Sequence, residues 1–199
     1  MVSKTRDRLI EVARQLFARK GVENTTMLDI ANASEKGRRT IYPYFKNKRQ
    51  IHRAVIERES EQAVKAERDI REGSQSASEK LEKILRATFD ILLCPTAPRY
   101  LDNFPWLNLL EGKRVGKIRR LTSLKEIQIL SDILQEGVDN GEFIANLVPH
   151  VVPMIVMIML GVDNTVTHPE IDVLGISRRE TFDHAVEFVL ESLTANNQS

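Results

Sequence analysis

With 199 residues, 42% of them hydrophobic and 29% charged, the chain is the size of one large domain, or of a small one joined to a medium one. It has enough apolar content to bury a core, which excludes a disordered chain. Nine glycines, seven prolines and 6% aromatics are too few turn formers for an all-β sandwich and point to long helices. The single cysteine, Cys94, excludes an internal disulfide and a cysteine-based zinc knuckle.

The polar stretch from Met1 to Arg8 has no apolar run behind it that could act as an export signal, so the expected location is the cytoplasm. The longest apolar run, Val151 to Val162, holds 12 residues. That is short of the roughly 18 to 20 needed to cross a bilayer, and it reads as a buried helix, with no membrane partner expected.

The formal net charge of +1 hides an asymmetry. Through Arg53 there are 13 basic residues against five acidic ones, a net +8, while residues 54–199 hold 16 basic and 23 acidic, a net −7. A basic head on an acidic body fits a chain that meets a polyanion at one end, although charge alone leaves a merely solvated surface equally open.

In chain order, Leu9, Val12, Ala13, Leu16 and Phe17 form one stripe of a first helix that Gly21 ends. Thr26 with Asp29 is a capping-box variant that opens a short helix reaching about Ala33. The break Ser34-Glu35-Lys36-Gly37 separates it from Arg38-Arg39-Thr40-Ile41-Tyr42. Two short helices joined by a tight turn after a supporting helix spell helix-turn-helix.

Asn47 with Gln50 caps a fourth helix that can run to about Arg71, about 24 residues and roughly 36 Å. It is apolar at Ile51, Ala54 and Val55 and polar on most sides beyond Ile56, the pattern of a connector between two bodies. Ser76 with Glu79 caps a helix whose stripe is Leu81, Ile84, Leu85, Thr88, Phe89 and Leu92, ended by Pro95.

Residues 99–112 read as a short aromatic-rich helix or irregular segment. Leu121, Leu124, Ile127, Leu130, Leu134 and Val138 mark a long helix ending at Asn140-Gly141, and two last helices are expected at about 148–166 and 177–194. The reading is an all-α chain of roughly nine helices: a helix-turn-helix head at 1–47, a connector helix at 48–72 and a helical-bundle body at 73–199.

Residues Leu9 to Arg53 resemble the DNA-binding domain of the TetR family of bacterial transcriptional regulators. The likeness runs without gaps through Ile10, Ala13, Leu16-Phe17, Gly21, Thr25-Thr26, Ile30-Ala31, Thr40-Ile41-Tyr42, Tyr44-Phe45 and Asn47-Lys48. The stretch Glu136 to Phe143 is similar to the turn that precedes the family's last two helices. Glu35 stands where the family usually has a turn glycine, and Gly37 where it usually has a serine cap.

In a helix-turn-helix the N-terminal residues of the second helix reach base edges. Here these are Arg38, Arg39 and Thr40, and arginine can pair bidentately with guanine; either arginine could read the base and the other a phosphate. Thr26, at a helix start, is placed for a phosphate, and the resemblance implies the same for Tyr42 and Lys48. Lys36, Lys46 and Arg49 are expected to add to the field. Pro43 is expected to push Tyr42 from helical angles and shorten the recognition helix.

The resemblance also implies a homodimer and a small-molecule pocket in the body. The candidate dimer residues are Ile155, Met159, Phe182, Val186, Val189 and Leu193, with Phe188 off the stripe. The candidate walls for an apolar effector are Phe89, Tyr100, Phe104, Trp106, Met154 and Met157, though plain core suits these side chains as well. Cys94 and the histidines His52, His150, His168 and His184 fall in no catalytic or metal-binding motif, so neither an enzyme nor a metal or other cofactor is expected. The expected function is a ligand-responsive repressor binding a palindromic operator on double-stranded DNA. The alternative is a DNA-anchored interaction protein whose acidic body recruits another protein and binds no small molecule.

Overall fold

The computed structural model describes residues 2–93, 115–155, 175 and 177–194. Among the described residues every regular element is a helix: α1 Val2–Lys20, α2 Met27–Ala33, α3 Arg38–Ile41, α4 Lys48–Arg71, α5 Ala77–Leu93 and α6 Val115–Asp139. Helical residues 148–155 form α7, and α8 spans Arg178–Thr194. The segment expected at 99–112 lies outside the described residues, as do Cys94, Tyr100, Phe104, Trp106, Met157 and Met159.

The helices start where the caps dictate. Thr26 accepts from the Asp29 amide while the Asp29 carboxylate accepts from the Thr26 amide, a complete capping box. Asn47 accepts from the Gln50 amide at 3.0 Å, and Ser76 and Glu79 exchange amide bonds in the same way.

Two separate cores result. The head core gathers Leu9, Ile10, Ala13 and Phe17 of α1, Ile30 and Ala31 of α2, Ile41, Phe45, and Ile51, Ala54 and Val55 of α4. The body core joins Val64 of α4 to Leu81, Ile84, Leu85 and Phe89 of α5, Ile129, Leu130, Ile133 and Leu134 of α6, and the inward stripe of α8. Each large side chain buried fully contributes about 1.5–3 kcal/mol. α4 supplies side chains to both cores. The head core reaches Val55, so it takes in the first two turns of the helix expected to be only a connector.

Polar ties lock the body. Lys80, buried on α5, donates to Glu136 of α6 at 2.6 Å. The Glu142 carboxylate accepts from the Ala77 and Ser78 amides, each at 3.1 Å; a residue beyond the end of α6 thereby caps the start of α5. Arg71 bridges to Asp132 at 2.6 Å, Arg86 to Asp183 at 2.6 Å, and Arg179 to Asp90.

The end of α6 is a Schellman turn. The Glu142 amide donates to Gly137 and the Gly141 amide to Val138, with Gly141 at φ +74°. This folds Phe143 back over Gly137, where an added Cβ would lie 2.0 Å from the Phe143 ring. Gly137→Ala is therefore expected to force the ring out and destabilise the chain by about 1–3 kcal/mol, read as a lower urea midpoint. Unchanged stability would mean that the ring is not held there.

The structure places several of the singled-out side chains of the body. In α6, Leu121 and Leu124 are 51% and 55% exposed, while Thr122, Glu126, Ile129 and Ile133 face inward. Successive three-residue steps fall about 60° short of a full circle each, so the start of the series faces outward, whereas Leu130 and Leu134 are buried in the core and Ile127 and Val138 pack against it. In α8, Phe182, Val186, Val189 and Leu193 are buried in the chain's own core, as is Ile155 of α7. These expected dimer side chains are consumed internally, and Phe188, at 60% exposure, is the large apolar side chain that α8 leaves outside. Phe89, expected as a ligand wall, stacks on Phe182 at 4.5 Å between ring centroids within that core. Met154 is half-buried.

Candidate nucleic-acid interface

The turn between α2 and α3 sets the reading head. Lys36 donates through its amide to Ala31 and Glu35 to Asn32, another Schellman turn, with Glu35 in the left-handed position at φ +54°. Ser34, fully buried, donates its hydroxyl to the Ala31 carbonyl at 3.0 Å and closes the turn. Outside, the Glu35 carboxylate takes an exposed bridge from Arg8 at 3.1 Å, which ties the turn to α1.

A non-glycine residue held left-handed costs about 1–2 kcal/mol, more than the 0–1 kcal/mol that an exposed ion pair returns. Glu35→Gly is expected to stabilise the head by about 0.5–1 kcal/mol, because the freedom glycine adds to the unfolded chain offsets part of the relief. A lowered melting temperature would contradict this.

Gly37 caps α3 without a side-chain bond, and α3 has only four residues. It ends at Ile41, as Pro43 led one to expect, but Tyr42 keeps right-handed angles (φ −60°, ψ −29°). The Tyr44 and Phe45 amides both reach the Ile41 carbonyl, so the chain completes one more turn. Ile41 and Phe45 are thereby buried in the head core with side chains of α1, α2 and α4, while the opposite side stays open.

That open side carries Lys36, Arg38, Arg39, Thr40 and Tyr42, all exposed, with Lys46 exposed beyond it. Arg38 and Tyr42, one turn apart, lie 3.4 Å from Nε to the phenol oxygen. With first and last turn coinciding in so short a helix, the helix dipole gives little reason for or against two arginines there. They are long side chains on a firmly seated turn, and neither forms an ion pair with a carboxylate among the described residues.

Two members of the expected set are held otherwise. Lys48 donates its ammonium to the Val22 and Glu23 carbonyls at 2.7 and 3.0 Å, which makes it a strut between the α1–α2 loop and α4. The Thr26 hydroxyl donates to Asp29 at 2.8 Å and serves the cap first. Asp29 is itself held down to about pKa 2 by the Lys20 ammonium, with the Thr26 amide and hydroxyl adding to it, so the cap stays charged throughout the neutral range. Sequence reasoning missed the Arg8–Glu35 tie, for which no local pattern exists across 27 residues.

A family model described as bacterial regulatory proteins of the tetR family matches residues 9–55, the span from α1 to the head-core end of α4. An uncharacterized HTH-type transcriptional regulator of Bacillus subtilis, YfiR, is 30% identical over 145 residues, covering 70% of this chain and 68% of that protein. The HTH-type transcriptional repressor KstR2 of Mycolicibacterium smegmatis is 25% identical over 146 residues, covering 69% and 67%. The crystal structure of the Bacillus subtilis transcriptional regulator FadR in complex with stearoyl-CoA has the same fold, with a TM-score of 0.64 at 22% identity over 94% of this chain and 98% of that one.

Proposed function

Since the chain belongs to the TetR family of DNA-binding bacterial transcriptional regulators, we propose that it is a ligand-responsive repressor that binds a palindromic operator as a homodimer. The observation that carries the reading is the exposed row Lys36, Arg38, Arg39, Thr40 and Tyr42 on a turn anchored by buried Ser34, Ile41 and Phe45. Such a row fits the major groove, where an arginine can take guanine O6 and N7 together. Lys36 and Lys46 supply sequence-independent attraction to phosphates.

Dimerisation accounts for two facts. Two heads about 34 Å apart read two half-sites on one face of the duplex, and Phe188 on α8 offers an apolar outer surface beyond the side chains that the core consumes. Ligand response draws on the relatives: one is named a repressor, and one with the same fold holds stearoyl-CoA. The route is α4, whose Val64 lies in the body core and whose Ile51, Ala54 and Val55 lie in the head core. A ligand that favours one placement of α4 favours one spacing of the heads.

Sedimentation of the chain with a palindromic promoter fragment tests the reading, with a complex of at least two chains per duplex expected. Lys36→Ala with Lys46→Ala is expected to lower the slope of log affinity against log salt by about 2 while leaving sequence preference intact. A monomeric complex, or a preference that changes with these lysines, would contradict it.

A further inference from the structure

Around α4, α5 and α6, several charged side chains are paired among the described residues. Arg71 is taken by Asp132 at 2.6 Å, Lys80 by Glu136 at 2.6 Å, and Arg86 of α5 by Glu82 and Asp183. About one turn before Arg71 on α4 and nearly two before Asp132 on α6 stand Glu67 and Glu126. Glu126 is only 3% exposed. One carboxyl oxygen of each is sealed from solvent and accepts no hydrogen bond. The neighbouring Lys83 and Lys125 are exposed on the outside.

Burial lifts Glu67 to about 7, and burial together with the charge of Glu67 lifts Glu126 to about 8. A buried acid without a donor weakens a fold that leucine or glutamine at the same place would strengthen. The two acids are close enough for the charge of Glu67 to act on Glu126, and their sealed oxygens have no donor among the described residues.

We propose that Glu67 and Glu126 are the recognition point for an organic cation with N–H donors and an apolar body, an alkyl amine or amidine, bound between α4 and α6. The proposal rests on the ligand-responsive reading above and supplies its ligand class. One ammonium between two carboxyls satisfies the sealed oxygens and draws at least one of the acids into its charged form, releasing a proton. Val64, three residues before Glu67, and Ile129, three after Glu126, are buried and add apolar surface. A bare divalent ion fits less well, because no group of three or more potential ligands exists among the described residues. An anionic acyl chain is repelled by the same two acids. A cation wedged here bears on α4 beside Arg71, on the helix that carries the movement to the head.

The test uses the full chain with decylammonium, decanol and decanoate at pH 7, followed by melting and by calorimetry in two buffers of different ionisation enthalpy. Decylammonium is expected to raise the melting temperature by a few degrees at concentrations well above its Kd and to release about one proton per chain on binding. Glu67→Gln and Glu126→Gln, which remove a buried acid and keep its shape, are expected to melt no lower than the parent. Each is expected to bind the amine about tenfold more weakly or worse.

Equal affinity in the double variant, tighter binding of decanoate, or no response to any alkylammonium from butyl to dodecyl would overturn the proposal. Operator release is followed separately. Decylammonium binding that leaves DNA bound contradicts the ligand-responsive reading alone, whereas release by stearoyl-CoA with indifference to the amine contradicts the cation site alone.

Discussion

Replacing Arg38 and Arg39 together by alanine is expected to weaken operator binding by roughly a hundredfold or more at fixed salt, since each good bidentate base contact is worth about 1–3 kcal/mol. The residual affinity is expected to be sequence-independent, supplied by Lys36, Lys46 and Arg49, all exposed. Neither arginine packs into the head, whose core beneath them is Ile41 and Phe45, so the melting temperature is expected to stay within about a degree or two. The single variants separate the roles: the base reader relaxes preference at one position of each half-site, and the phosphate contact lowers affinity evenly. Competition gel shifts with single-base operator variants measure both effects. Full affinity in the double variant would move the reading head elsewhere.

The second large effect is on stability. Glu67 and Glu126 titrate near 7 and 8 in the folded chain, against an ordinary value of 4.5. The folded state therefore holds more protons than the unfolded one across that interval. Stability is fully present below about pH 4.5 and is lost as pH rises through 7 to 8, by an amount on the order of a few kcal/mol.

Groups that face the pair from the packed helices do not mask this. Arg71 and Asp132 answer each other, as do Lys80 and Glu136. The depressed carboxyls Glu11, Asp29 and Asp132 act in the opposite sense only below their ordinary values. Urea unfolding at pH 5 to 8.5 is expected to show falling stability, and the Glu67→Gln, Glu126→Gln double variant a flat profile that crosses above the parent. A parent that gains stability over this range would contradict the burial of the pair.

What was legible in the sequence was chiefly what is local. The pairs Thr26 and Asp29, Asn47 and Gln50, and Ser76 and Glu79 mark the helix starts because each cap closes within four residues. The left-handed strain at Glu35 was readable from the family's glycine at that place. What escaped depends on rotation about a helix axis or on distant partners. The series from Leu121 to Val138 marks the helix, but its spacing does not say that Leu121 and Leu124 face outward while Leu130 and Leu134 are buried. Phe182, Val186, Val189 and Leu193 form a true stripe, but a stripe does not say whether its partner is the same chain or another.

In the candidate interface Lys36, Arg38, Arg39, Thr40 and Tyr42 are exposed, while nothing local in the sequence signals that Lys48 turns to the Val22 and Glu23 carbonyls. Glu67 was lost in a polar run. Its place three residues after Val64 and four before Arg71 was the available signal that it shares their inward face.

In the proposed function the turn from Lys36 to Tyr42 reads duplex DNA, presented twice by a pair of chains. Selection of bound duplexes from a random pool, run in parallel for the parent and for the Arg38→Ala, Arg39→Ala variant, addresses it most directly. The parent is expected to enrich an inverted repeat with half-site centres about one helical turn apart or a multiple of that, and the variant to enrich nothing. Recovery of the same repeat by the variant, or of no repeat by the parent, would contradict it.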